Sequence, residues 1–342
     1  MPAPSVAVCI PTYNRRDYLQ ELLQAFAQQD GASEIQVVVS DNASTDGTQE
    51  LCRELALTWP QLKYVRLPEN LGPDANFLSC VQHADTEFCW LFGSDDAPRP
   101  GAVLRVLDLL AQDPDILLFD RVWCDIAMHP TRVDRFLDCD APARFDTGRG
   151  PDLGRYLGAA TGLCGLLSFL SSVVVRKRRW DGTPSMDRYA GSAYIHTAKL
   201  LSVVSQGAEL LYVREPLVLC RGDNEGLMEH GLFNRARIDF VWYRALIDQF
   251  FPRPPAHAAA DSVVRREYGL LRLLLLLCEA QGDEPEELLR HMRAFGYDRT
   301  MLAAVGLPAR SESFRSVLRA VMPMARRAWW WRTRRATATA LG

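Results

Sequence analysis

Between Ser5 and Asp120, short apolar runs alternate with helix-spaced apolar patterns, and each run closes in a polar or acidic loop. This alternation most constrains the fold. Successive strands can share one direction only if a crossover, usually a helix, carries the chain back, so the pattern predicts an α/β unit with a mostly parallel sheet. Val6 to Ile10 is a first strand, followed by Pro11-Thr12-Tyr13-Asn14, with Asn14 expected to cap a helix carrying Tyr18, Leu19, Leu22, Leu23 and Phe26. Ile35 to Ser40 is a second strand ending in Asp41 to Gly47, and a helix is predicted to begin near Thr48. Leu62 to Leu67 is a third, ending in Glu69-Asn70-Leu71-Gly72-Pro73, before a helix with Phe77, Leu78 and Val81. The fourth run begins at Phe88 and stops at Gly93-Ser94-Asp95-Asp96, then turns through Pro98, Pro100 and Gly101 into a helix over Ala102 to Ala111. Ile116 to Asp120 is a further strand. Polar loops at the carboxyl ends of successive parallel strands predict one ligand-binding rim.

The remainder divides in two. Residues 121–150 lose periodicity and are read as long loops with room for one inserted strand. A short helix over Pro151 to Ala160 and an apolar run from Leu163 to Val175 follow, ending at Arg176-Lys177-Arg178-Arg179, which is read as a solvated strand end. Ala193 to Ser205 has helical spacing. Glu209 to Val213 leads through Pro216 to a strand over Leu217 to Cys220 and the loop Arg221-Gly222-Asp223-Asn224. Beyond Leu232 only helical patterns remain, over Phe233 to Phe251, Ala258 to Ala280, Pro285 to Phe295 and Phe314 to Arg335. The predicted organisation is therefore a unit over 1–230, with a first half at 1–120 and a second at 121–230, and a helical extension over 231–342.

Composition narrows the function classes. A net charge of −3 argues against a general nucleic-acid binder. The nine cysteines are scattered, lack any C-x-x-C pair and fall partly within apolar runs, as expected of reduced, buried thiols in the cytoplasm. The N-terminus enters its first strand without a charged and apolar leader, so no secretory signal is expected. The longest apolar stretches, Gly162 to Val175 and Tyr268 to Cys278, are shorter than the ~20 residues that span a bilayer.

Four motifs recur in a specific order: Ile10-Pro11-Thr12-Tyr13-Asn14-Arg15, Asp41-Asn42-Ala43-Ser44-Thr45-Asp46-Gly47, Asn70-Leu71-Gly72 and Ser94-Asp95-Asp96. Together they resemble the nucleotide-sugar half of family 2 glycosyltransferases with the GT-A fold, over roughly residues 5–225. Among these the chain is most similar to bacterial enzymes of O-antigen and related surface-polysaccharide assembly, including the abequosyltransferase-like group. The resemblance implies a Rossmann-like, mostly parallel central sheet flanked by helices. It also implies an inverting transfer from a UDP-, GDP-, CDP- or dTDP-sugar to a saccharide acceptor.

By resemblance, Pro11, Thr12, Tyr13, Asn14 and Arg15 hold the nucleoside with Asp41 and Asn42, while Asn70 and Gly72 belong to the same donor rim. Asp41 and Asn42 would otherwise form an ordinary Asx turn. Asp95 faces the ribose or sugar, and Asp96, aided by Asp95, binds Mn²⁺ or Mg²⁺, hard ions suited to carboxylates without a Cys or His cluster. Ser94 stands where the family often has a third acid. Arg221 is placed to stabilise the leaving diphosphate as a bidentate donor. An inverting enzyme also needs a base for the acceptor hydroxyl, and the family's usual Glu-Asp pair is missing. His196, whose ordinary pKa of about 6.5 suits the task, and Asp187 are the two candidates.

The C-terminal end carries eight arginines against one acid, Glu312, over residues 310–342, with Trp329-Trp330-Trp331 among them. Tryptophan favours a membrane interface and arginine favours anionic headgroups, so 322–335 reads as a peripheral contact with the inner membrane face. This suits an acceptor linked to polyprenyl diphosphate. The alternative is docking on the helical region or on a second copy of the chain, as a homo-oligomer. Two other functional classes stay open: an inactive nucleotide-sugar-binding or assembly protein, motivated by Ser94 and the missing Glu-Asp pair, and a nucleotidyltransferase. Against the latter, Pro11-Thr12-Tyr13 stands where a Gly-rich basic phosphate loop would be needed.

Overall fold

A computed structural model describes residues 5–222, 231–318 and 320. Ten strands form one mixed sheet: β1 (Val6–Thr12), β2 (Ile35–Asp41), β3 (Leu62–Arg66), β4 (Phe88–Leu91), β5 (Ala97–Pro98), β6 (Ile116–Cys124), β7 (Pro130–Asp134), β8 (Ala143–Asp146), β9 (Val173–Arg176) and β10 (Glu209–Arg221). Their order is β3-β2-β1-β4-β9-β6-β10-β5, with β7 on β6 and β8 on β10. β1 pairs in parallel with both β2 and β4, so the chain reverses its direction of growth across the sheet beside β1. The crevice beyond the carboxyl ends of strands at such a reversal is where open α/β sheets bind ligands. It is lined here by the loops after Thr12 and Leu91.

Both faces of the sheet are covered. On β1, Val6, Val8 and Ile10 enter one apolar cluster and Ala7 and Cys9 the other, as the alternation of side chains along a strand requires. The helices α1 (Arg16–Ala27), α2 (Thr48–Thr58), α3 (Pro73–Gln82) and α4 (Ala102–Leu110) are the predicted crossovers. Trp90 anchors one face, fully buried with ring centroids of Phe26, Phe92 and Phe119 at 5.7, 5.3 and 5.8 Å.

Several expectations are corrected. The region 121–150 contains the β6–β7 hairpin and β8, which pairs with β10, before α5 (Gly150–Ala159). The apolar run after Leu163 is two short 3₁₀ turns and then β9, inserted antiparallel between β4 and β6. Arg176 is not a solvated strand end: it is 2% exposed, stacks over Phe88 and pairs with Glu87, Asp113 and Asp115. Acids from two other loops supply the counter-charge that its burial demands, and none adjoins it in sequence. Three cysteines, at 139, 164 and 278, are only half-buried, and no disulfide joins any of the nine.

After α6 (Lys177–Asp181) and α7 (Ile195–Ser205) come α8 (Gly231–Phe250), α9 (Ala256–Glu267), α10 (Leu270–Glu279), α11 (Glu284–Ala294) and α12 (Arg299–Ala309). The helix expected over Ala258 to Ala280 is broken at Tyr268-Gly269, where the Tyr268 hydroxyl is drawn to Asp239 and its ring packs on Phe240. Packing thus overrides the apolar period. α12 was not foreseen, and Pro308 sits in its last turn. These helices share one apolar cluster with α7 and the sheet, from Val38 and Tyr194 through Tyr243 to Leu277 and Met292. The segment 322–335 lies outside the described residues, as do Asp223 and Asn224. No described helix is long and apolar enough to cross a membrane.

Candidate active site

The first three loops are sewn together by side chains. Asn14 does not cap α1; it adopts φ +50° and its Oδ1 accepts from the Thr45 amide at 2.8 Å, while its own amide donates to Ser44 Oγ at 2.9 Å. A short polar side chain tolerates this backbone and bonds locally, which explains asparagine there. Asn42 Nδ2 donates to Asn70 Oδ1 at 2.7 Å and to the Gly72 carbonyl at 3.1 Å, and its Oδ1 accepts from Leu71 N at 2.9 Å. Gly72, at φ +84°, opens α3. The Thr12 carbonyl accepts from Asn42 N at 3.0 Å and from Asn76 Nδ2 at 3.0 Å. At the carboxyl end of β1, Pro11 is partly exposed and, in the loop that follows, Tyr13 is 42% exposed.

Asp41 is fully buried. Its Oδ1 accepts from Ser44 N at 2.8 Å, the Asx turn that the sequence left open, and its Oδ2 accepts from Tyr64 Oη at 2.6 Å and Arg66 Nη1 at 2.7 Å. The carboxylate is thereby committed inside the protein, and partly exposed Arg66 is the cation presented beside it. Neither Tyr64 nor Arg66 was singled out in the sequence, although both sit at the end of β3, where a rim residue belongs.

The two acids stand in different environments. Asp95 Oδ2 pairs with Arg15 Nη1 at 2.6 Å at the crevice. Asp96 is 6% exposed; its Oδ1 accepts from the Arg221 amide at 3.1 Å and its Oδ2 from the Ser171 hydroxyl. Ser171 is held in turn, its carbonyl accepting from Trp90 Nε1 at 2.8 Å and its Oγ from Gly93 N at 2.9 Å. Burial, and next the charge of Asp95, push the Asp96 carboxyl up to about 7. An anion so disfavoured is relieved by a cation at the same place. Among the described residues no group of three or more His, Cys, Asp or Glu side chains forms a cation cluster. Asp95 and Asp96 are oxygen donors of the kind that hard divalent ions such as Mg²⁺ or Mn²⁺ take.

Arg221 departs from its expected role. Its Nε donates to the Asp95 carbonyl at 2.9 Å, Nη1 to the Ile126 carbonyl at 2.7 Å and Nη2 to Glu21 at 2.6 Å, and it lies 4.7 Å over the Tyr18 ring. It braces the acidic loop instead of projecting a free fork. Gly222 follows because space demands it: a Cβ there would stand 2.5 Å from the Cys124 carbonyl and 2.6 Å from Trp123 Nε1.

His196 lies in the first turn of α7 and is 3% exposed, its ring edge-on to Phe77 at 5.1 Å. Nε2 lies 3.1 Å from the Ser168 carbonyl, which can only accept, so Nε2 carries the proton and Nδ1 is a bare acceptor. That Nδ1 is buried without a partner. Ser168, whose carbonyl meets His196, and Ser171, whose hydroxyl donates to Asp96, are three residues apart, so their Cα atoms lie within about 11 Å of each other. Burial lowers the imidazole to about 4, correcting the expectation of an ordinary value. Asp187 starts an exposed 3₁₀ turn. Its neighbour Arg188 bonds to Gln249 at 3.0 Å, and among the described residues no hydrogen bond ties the Asp187 carboxylate to the acidic pair.

A family model described as Glycosyl transferase family 2 matches residues 7–163. Abequosyltransferase RfbV of Salmonella typhimurium strain LT2 is 33% identical over 307 residues, covering 88% of this chain and 92% of that protein. Among solved structures, S. aureus TarS 1-349 in complex with UDP superposes with a TM-score of 0.62 at 14% identity, over 94% of this chain and 92% of that one. The mannosyltransferase PcManGT from Pyrobaculum calidifontis, in complex with GDP-Man and Mn²⁺, gives 0.51 at 19% identity, over 93% and 84%. These structural likenesses extend to the fold.

Proposed function

The chain belongs to glycosyl transferase family 2, and on that premise we propose how its residues divide the transfer of a sugar from a nucleotide-sugar donor to a saccharide acceptor in bacterial surface-polysaccharide assembly. The observation that carries the reading is the meeting of Arg15, Asp95, Asp96 and Arg221 at the reversal point of the sheet. The rim Pro11 to Arg15, Asn42, Asn70 and Gly72 receives the nucleoside, with Asp41 acting through Tyr64 and Arg66. Asp96 and Asp95 hold Mn²⁺ or Mg²⁺, which when bound supplies positive charge against the departing diphosphate. Arg15 adds charge at the crevice, and Arg221 keeps the acidic loop in place. His196 Nδ1 takes the proton of the acceptor hydroxyl; Asp187 is the competing candidate.

The nucleotide and sugar are read out by a thermal-shift screen of UDP-, GDP-, CDP- and dTDP-sugars with Mn²⁺, since a ligand of the native state raises its apparent stability. One nucleotide class is expected to raise the melting temperature, and to do so less in EDTA. Equal shifts with all four, or none, would count against a nucleotide-sugar site.

The Arg/Trp segment 322–335 is assigned to an anionic bilayer, which would bring the crevice to a polyprenyl-diphosphate-linked acceptor. Removing residues 322–342 is expected to abolish co-flotation with vesicles containing anionic lipid. Unchanged flotation would assign the tryptophans to protein contacts.

A further inference from the structure

Two buried carboxylates, one on α3 and one on α8, converge on the start of α7. From α3, Asp74 is 4% exposed and accepts from Ala193 N at 3.0 Å and from Ile195 N at 3.2 Å. α3 is the helix opened by Gly72, so this contact joins the donor rim to the start of α7. From α8, Asp239 is 1% exposed and is surrounded by donors. The Tyr194 hydroxyl donates to its Oδ1, the Tyr268 hydroxyl to its Oδ2 at 2.5 Å, and Arg235 Nε lies 3.1 Å from Oδ1 while Arg235 Nη2 donates to Tyr194 Oη at 2.6 Å. Tyr194 is the residue before α7, and its ring tilts against His196 at 6.3 Å and meets Tyr243 of α8 at 5.2 Å.

Burying a carboxylate is costly unless hydrogen bonds and a counter-charge offset the loss of water. An apolar contact would fasten α8 to α7 without that cost. Hydrogen bonds to one hydroxyl, however, define direction as well as proximity, and here they define where Tyr194 stands beside His196. Ala193 itself is held at φ +61°, a conformation uncommon for a residue with a side chain, and its amide is the one that Asp74 takes.

We propose that Asp239 and Tyr194 are positioning residues through which the C-terminal helices orient the acceptor-activating end of α7, with Asp74 as the matching hold from the donor side. The inference rests on the assignment of the acceptor base to His196. The helical extension is then part of the transfer machinery, and it acts on the step that follows donor binding. Displacing a reacting group by about 1 Å costs on the order of a hundredfold in rate.

Tyr194→Phe keeps the ring and removes the hydroxyl that Asp239 and Arg235 grip; Asp239→Asn keeps the shape and removes the charge. The experiment measures three quantities on the full chain with Mn²⁺: nucleoside-diphosphate affinity, acceptor KM, and kcat. Tyr194→Phe is expected to leave affinity and acceptor KM within about twofold while kcat falls on the order of a hundredfold. Asp239→Asn, where it folds, should follow the same split. A folded Tyr194→Phe enzyme turning over at the parent rate would overturn the inference, whatever Asp239→Asn does. So would a loss confined to donor affinity. His196→Ala is read separately: if it keeps the parent rate, the base assignment fails, and Tyr194→Phe still decides whether the α8 contact orients α7 for transfer.

Discussion

Asp96→Asn is expected to abolish sugar transfer and yet to make the donor-free protein more resistant to heat at pH 8. The sign follows from the direction of the shift. The native state pushes the Asp96 carboxyl from its ordinary value up to about 7, so folding favours the protonated form. The stability this group contributes is complete below about pH 4, the usual carboxylate range, and is lost as pH rises through about 7. Above that, the donor-free protein carries a buried anion next to Asp95, and the Ser171 hydroxyl, the Arg221 amide and the charge of Arg121 offset its burial only in part. Asparagine keeps the acceptor for the Arg221 amide and carries no charge. The variant should therefore melt higher than the parent at pH 8 and close to it at pH 5, in a buffer with EDTA. Adding Mn²⁺ should stabilise the parent at pH 8 and leave the variant unmoved. Transfer should fall by about two to three orders of magnitude, the scale seen when one group that stabilises developing charge electrostatically is removed. A variant whose melting temperature follows the parent at both pH values would show that Asp96 is not strained by burial. Nucleotide binding that still answers to Mn²⁺ would remove Asp96 from the cation site.

The second large effect is expected at His196. Its Nε2–H is taken by the Ser168 carbonyl, which leaves Nδ1 as the free lone pair. The imidazole is neutral at physiological pH because burial lowers it to about 4. His196→Ala should reduce kcat by about 10² to 10⁴, the usual contribution of a positioned general base, with nucleoside-diphosphate affinity unchanged. Asp187→Asn should stay within a few-fold of the parent. The pH dependence is a further check. A base lowered to about 4 remains deprotonated down to pH 5, so at saturating donor and Mn²⁺ the transfer rate should not begin to fall at 6.5. Collapse in Asp187→Asn with full activity in His196→Ala would exchange the two roles.

Much of the donor side was legible in the residues because each of its parts is local. A buried strand that ends in Gly93-Ser94-Asp95-Asp96 announces itself in a dozen residues, and so do the loops at Asn14, Asn42 and Asn70. Their partners were not legible. That Asn14 bonds to Thr45, Asn42 to Asn70, and Asp41 to Tyr64 and Arg66 depends on which strands lie side by side. The same holds for Arg221, whose bonds reach Glu21, Asp95 and Ile126 and turn an expected phosphate ligand into a brace. Arg176 was misread for the same reason: its charge suggested solvent, and the acids that allow its burial come from distant loops.

By itself the sequence determined the parallel run β1–β4 with its crossover helices, the order of its rim loops, the acidic pair and the helical character of residues 231–318. These depend on periodicity and turn chemistry, which act over a few residues. Only the tertiary structure decided that Ser171 and Arg221 enclose Asp96, that the buried Nδ1 of His196 is left without a partner, and that Asp74 and Asp239 both hold the start of α7. Burial and hydrogen-bond partnership set the charge state of each of these groups. Both depend on which distant segments pack together, and that is a property of the folded chain.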